Sequence, residues 1–166
     1  MDTAKKRGDE RLALLMETIC ATGIRVSEVP YITTDAVKKG RARIAMKGKL
    51  RTILIPAQLC RKLHQYSIKH RIQRGEIFLT KNGTRLERKQ IWAQMKALCK
   101  YAGIERNKVF PHNLRHLFAR CFYRISHDIS SLADVLGHSS IETTRIYLIS
   151  TESEHIKKIA HLGLVQ

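Results

Sequence analysis

His112 and Arg115 stand three residues apart in the stretch HNLRH. On a helix that spacing puts both side chains on one face, within reach of the same phosphate. A guanidinium can hold two phosphate oxygens at once and keeps its charge at any physiological pH. A histidine beside it, with an ordinary pKa near 6.5, can take up a proton or donate a hydrogen bond close to neutrality. Arg25, in ATGIRVSEV, supplies a second guanidinium just beyond a helix end, and His138 follows a Leu136-Gly137 helix stop whose turn would present its ring. His112 and His116 also form an i, i+4 pair that could hold zinc with His138 as a third ligand. The sequence argues against a metal, since no glutamate follows His112 and Arg115 would set a fixed cation beside the ion.

These residues need elements to carry them. Leu12, Leu15, Met16 and Ile19 recur at helical spacing over residues 10–21, with Gly23 as the C-terminal cap. Residues 42–46 and 52–55 are short and β-branched around residues 47–50, which predicts a hairpin, and a further strand is expected near Asp35. Pro56 opens a basic helix to about Gln73, with Leu59, Leu63, Tyr66 and Ile68 as its apolar stripe. Ile77 to Thr80 reads as a brief strand before the Asn82-Gly83 turn. A helix from Glu87 to Tyr101 turns Ile91, Met95, Leu98 and Tyr101 inward and stops at Gly103. Pro111 opens another that carries Leu114, Leu117, Phe118 and Cys121 inward to about Tyr123. Short helices follow at Ser130 to Leu136 and after Ser139, which pairs with Glu142 as a capping box, and a last one spans about Glu152 to His161. The pattern is α+β, helices dominant, with a small three-stranded antiparallel sheet, and residues 1–166 read as a single domain.

Composition bounds the partners. Lys and Arg number 31 against 14 Asp and Glu, a formal net charge of +17 and a pI near 10.2. Self-repulsion of that size points to a polyanion, either a nucleic acid or a membrane surface. Residues 51–110 hold 14 bases and 3 acids, whereas residues 111–166 hold 6 and 5, so the field comes from the middle third. No run of about 18 apolar residues is present and the N-terminal stretch lacks a signal-peptide core, which points to the cytoplasm and away from a membrane. Cys20, Cys60, Cys99 and Cys121 are far apart and read as reduced core thiols.

Three segments, ATGIRVSEV, HNLRH and LGHSSIETTRIY, resemble the phage integrase, or tyrosine recombinase, family over about Leu12 to Leu162. The motifs occur in the family's order: arginine, hairpin lysine, His-x-x-Arg, Leu-Gly-His, then a tyrosine nine residues after that histidine. The resemblance implies the fold of a DNA breaking-rejoining enzyme in which Tyr147 attacks a phosphate of double-stranded DNA and forms a 3′-phosphotyrosine. A pentacoordinate phosphorus carries charge on its non-bridging oxygens, which Arg25 and Arg115 would hold, with Glu28 as a supporting acid. His112 and His138 would complete the pocket. Tyr31, Tyr66, Tyr101 and Tyr123 fall where packing explains them.

The general acid for the departing 5′ oxygen should be a lysine at the hairpin tip. Lys47, followed by Gly48, fits the family pattern best, and Lys49, with Arg51, is the alternative. Lys49, Arg51, Arg88 and Lys89 are expected to contact DNA. Fixed charges would supply what a metal supplies elsewhere, so no cofactor is implied, and the phosphotyrosine conserves bond energy without ATP. Family precedent adds integration or excision of a prokaryotic mobile element on the nucleoid. It also adds a tetramer on DNA that exchanges the segment Ser153 to Val165, with an isolated fragment expected to be a monomer. Members usually carry an N-terminal core-binding domain, which this stretch is expected to lack. Ile149 stands where many have a histidine. A regulatory DNA-binding module without catalysis and a type IB topoisomerase are the rival readings.

Overall fold

The computed structural model describes residues 1–46, 49–147 and 160–161. Helix α1 (Asp2–Lys6) buries Ala4 alone, too little patterning for the sequence to announce it. Helix α2 (Glu10–Thr22) starts where the Asp9 carboxylate accepts from the Leu12 N–H and stops at Gly23, whose φ of +63° is left-handed. A 3-10 turn over Val26–Tyr31 follows. The strand expected near Asp35 is instead helix α3 (Thr34–Lys39), because Thr33 caps it through Ala36 N–H and Gly40 closes it.

Strands β1 (Arg41–Met46) and β2 (Lys49–Leu54) form an antiparallel hairpin with Ile44 opposite Arg51 and Met46 opposite Lys49. The connection is therefore two residues rather than the four expected. Among the described residues the sheet has two strands, not three. The 77–80 segment makes only single-residue bridges, Thr33 with Glu76 and Leu79 with Arg85, while Ile77 and Phe78 go into the core. Helix α4 (Ala57–Lys69) ends earlier than expected and buries Ser67 where Ile68 was anticipated.

Helix α5 (Arg88–Ala102) buries Ile91, Met95 and Cys99 and ends at Gly103 in the left-handed conformation. Tyr101 is exposed, with the Arg7 guanidinium 3.4 Å over its ring. Helix α6 (Pro111–Ser126) buries Pro111, Arg115 and Ala119, and exposes Leu117 and Cys121, which were read as inward. Helix α7 (Ile129–Leu136) is capped by Asp128, and α8 (Ile141–Arg145) by Ser140 rather than Ser139, since the Ser140 hydroxyl accepts from Glu142 N–H. The final helix read at Glu152 to His161 falls almost entirely outside the described residues, as does Ile149.

Two cores result. The larger joins α2, α3, the hairpin, α4 and α5, and the smaller gathers Ala119, Leu132, Leu136 and Tyr147. Helix α6 lies along α2 and reaches the smaller core through Phe118 and Phe122. The contact is closest at Gly23, where an added Cβ would stand 2.4 Å from Phe118 Cδ1. Gly23→Ala combines that clash with a left-handed backbone, so urea unfolding should show a loss of about 2–4 kcal/mol. A loss below about 0.5 kcal/mol would contradict this account of the α2–α6 contact.

Candidate active site

Arg115 lies in the second turn of α6 at 1% exposure. Its Nη1 donates to the Gly23 carbonyl, and its Nη2 donates to the Leu136 carbonyl at 2.9 Å and to His138 Nε2 at 2.9 Å. Gly23 and Leu136 end α2 and α7, so this cation sits where two helices present carbonyls without helical partners and partial negative charge. Burial lowers the Arg115 guanidinium from its ordinary value and the Tyr147 hydroxyl beside it raises it in return. It stays a cation at neutral pH.

Arg25 begins the 3-10 turn and is bound twice by Glu28, through its backbone N–H at 2.8 Å and its Nη1 at 2.9 Å. Glu28 is 2% exposed and also accepts from Arg51 Nη1, at 2.7 Å to each carboxylate oxygen. Burial alone would raise the Glu28 carboxyl, but the Arg25 N–H and the Arg51 charge outweigh it and hold it below its ordinary value. The second Arg51 nitrogen donates to the Val135 carbonyl at 2.9 Å. Arg51, expected on DNA, is thus turned inward.

Gly137, at φ +65°, ends α7 and sets His138 back over it, with His138 N–H bonded to the Ala133 carbonyl at 2.9 Å. A guanidinium can only donate, so His138 Nε2 must accept from Arg115 and the ring proton must sit on Nδ1. Nδ1 lies 2.9 Å from Thr144 Oγ1, which accepts it. Burial, reinforced by Arg115, Arg25 and Arg51, lowers His138 to about 4, leaving it neutral near pH 7. Tyr147 follows α8 and is 7% exposed, its ring 5.7 Å from His138 and 4.2 Å from His116. Burial, with His112 and Arg115, lowers His116 as well.

A cleft of about 690 Å³ opens onto this group, lined by Arg25, His112, Arg115, Arg88, Lys89 and Trp92. His112 is exposed at the first turn of α6, and Arg88 and Lys89 are exposed at the start of α5. Five of the six residues expected to do chemistry, Arg25, His112, Arg115, His138 and Tyr147, therefore meet around one cleft and its floor. Lys47 lies outside the described residues, and Lys49 is placed by its backbone at the start of β2. Sequence reasoning passed over His116 and Thr144 as members of this cluster. The i, i+4 spacing of His112 and His116 was the available signal for the first, and nothing local marked the second.

The model of the phage integrase family matches residues 1–154. Tyrosine recombinase XerD of Bifidobacterium longum is 34% identical over 147 residues, covering 80% of this chain and 47% of that protein. The crystal structure of XerA recombinase superposes with a TM-score of 0.79 at 24% identity, covering 99% of this chain and 60% of that one. XerH site-specific recombinase, bound to its difH substrate before cleavage, gives 0.71 at 26% identity, covering 94% and 46%. The chain spans about half the length of the curated relatives it matches. By its ordered motifs, its fold and this match over most of its length, the chain belongs to the phage integrase family, which includes the tyrosine recombinases.

Proposed function

We propose that the chain is the catalytic domain of a site-specific recombinase that cuts and rejoins double-stranded DNA, with Tyr147 as the nucleophile. The observation that carries this reading is the placement of the buried Tyr147 beside Arg115, with Arg25 and His112 on the adjoining cleft. The Tyr147 oxygen bonds to phosphorus as the P–O5′ bond breaks, leaving a 3′-phosphotyrosine and a 5′ hydroxyl. His112 takes the phenol proton, and a hairpin lysine, Lys47 or Lys49, gives one to O5′. Arg25 and Arg115 hold the charge that gathers on the non-bridging oxygens. A phenol is a poor nucleophile alone, so its proton must pass to His112 as the attack proceeds.

Fixed charges cover the electrostatic work and the phosphotyrosine stores the bond energy, so the scheme calls for neither metal nor ATP. Arg88 and Lys89, at the edge of the cleft, suit the flanking backbone. Movement of a mobile element on prokaryotic DNA, by a tetramer that exchanges its C-terminal segment, is the setting this reading favours.

A nicked suicide duplex, whose short 5′ strand diffuses away after cleavage, should give a covalent adduct that survives denaturation. Tyr147→Phe abolishes the adduct while DNA affinity stays within about threefold, since lysine and arginine contacts to phosphates dominate binding. A wild-type protein that binds the duplex without ever becoming attached would sink the reading. Lys47→Ala and Lys49→Ala should be compared on a duplex with a 5′-bridging sulfur, whose thiolate leaves unprotonated. Only loss of the true acid is rescued, and rescue of neither would remove the hairpin lysines from the scheme.

His138 adds a pH dependence. An unfolded histidine titrates near 6.5 and the folded ring near 4. The unfolded chain therefore binds this proton first as pH falls, and the stabilisation present above about pH 6.5 is lost on acidification toward 4. Nitrogen-detected NMR should show the Nδ1–H tautomer at pH 7 and a midpoint near 4. His138→Gln should flatten that part of the stability profile. A midpoint near the ordinary 6.5 would refute the neutral-acceptor role.

A further inference from the structure

Building on the recombinase reading, we propose that Arg51 is a positioning residue. It seats the hairpin against the site and thereby sets the leaving-group lysine, rather than contacting DNA. The pairing of Ile44 with Arg51 and of Ala42 with Ile53 puts all four side chains on one face of the hairpin. That face is the buried one, with Ile44 at 2% and Ile53 at 1% exposure. The opposite face of β2 is open among the described residues, with Leu50 83% and Leu54 65% exposed.

The Arg51 side chain is 11% exposed and its terminal nitrogens are already engaged. One binds both oxygens of Glu28, and through Glu28 reaches Arg25, while the other binds the Val135 carbonyl one turn before His138. Its stem runs over Gly137, where an added Cβ would lie 2.3 Å from Arg51 Cδ and 2.7 Å from Nε. The guanidinium joins strand β2, the Arg25 turn and the His138 turn in one ion-paired unit. Lys49 precedes it by two residues, roughly 7 Å along the strand, and Lys47 by four residues of sequence. Over such a lever, a loose anchor carries an amine out of hydrogen-bond reach of O5′.

The bridging-sulfur duplex separates this role from others. With oxygen as the 5′ bridge, the breaking bond leaves an alkoxide that needs the lysine proton. With sulfur, the thiolate takes the electron pair and no proton, so lysine placement ceases to matter. For Arg51→Lys and Arg51→Met, cleavage of the oxygen duplex should fall about a hundredfold, within the range for a lost general acid, while the sulfur duplex stays within about tenfold of wild type. DNA affinity and its salt dependence should stay at wild-type values, because no phosphate contact is removed. Equal losses on both duplexes would overturn the proposal. So would a salt slope reduced by about one, which marks a lost phosphate contact. Should Arg51→Met fail to fold, the charge-conserving Arg51→Lys decides. A wild-type protein forming no adduct on either duplex would instead defeat the recombinase reading on which this rests.

Discussion

The buried charge of Arg115 is the constraint on which the rest of the structure depends. A guanidinium at 1% exposure is tolerated only where its donors find acceptors and its charge finds a field of opposite sign. The Gly23 and Leu136 carbonyls and the His138 ring engage both terminal nitrogens, leaving only the buried Nε without a partner among the described residues, and the C-terminal ends of α2 and α7 supply the field. One side chain therefore holds three helices in register and at the same time aims positive charge toward Tyr147. Lysine could not replace it, because a single ammonium lacks the planar spread of donors that reaches three segments.

Around that centre the like charges of Arg25, Arg51 and Arg115 would repel one another. Glu28 is the counterion that permits the crowding, and its own burial is tolerable because two arginines and a backbone N–H surround it. A site gathered from a 3-10 turn, a hairpin, and the ends of α2, α6, α7 and α8 thus acquires one shared electrostatic framework. Among the described residues, what the cleft lining lacks is anionic charge, and under the proposed function a DNA phosphate carries it.

Much of this was legible in the sequence, and the failures have physical reasons. The ordered motifs singled out Arg25, His112, Arg115, His138 and Tyr147, which the structure brings together, because the phosphate chemistry proposed for them needs particular side chains at particular spacings. Helix ends marked by Gly23, Gly103 and Gly137 were also legible, since each glycine adopts a left-handed backbone. Helix α6 was read with its face turned, because apolar periodicity counts Leu117 and Cys121 as inward and has no place for a buried arginine. Asp35 sits in a short capped helix whose Val37 and flanking threonines mimic a strand. The 77–80 segment has strand chemistry but no edge to pair with beyond single bridges. Arg51 is the instructive case. Alternation with Ile53 and Ile55 already placed it on the buried face, yet its charge suggested solvent.

The neutral His138 has a wider consequence. Its ring accepts from Arg115 and cannot at the same time carry the proton that would make it a cation. The positive charge deep in the site therefore belongs to guanidiniums, which do not titrate in any cell. A phosphate meeting that inner group takes up no proton and releases none, so the enthalpy of this part of binding should not depend on the ionisation heat of the buffer. Under the proposed scheme, grip at the inner wall is thereby decoupled from acid-base chemistry, which falls to His112 at the rim and to the hairpin lysine.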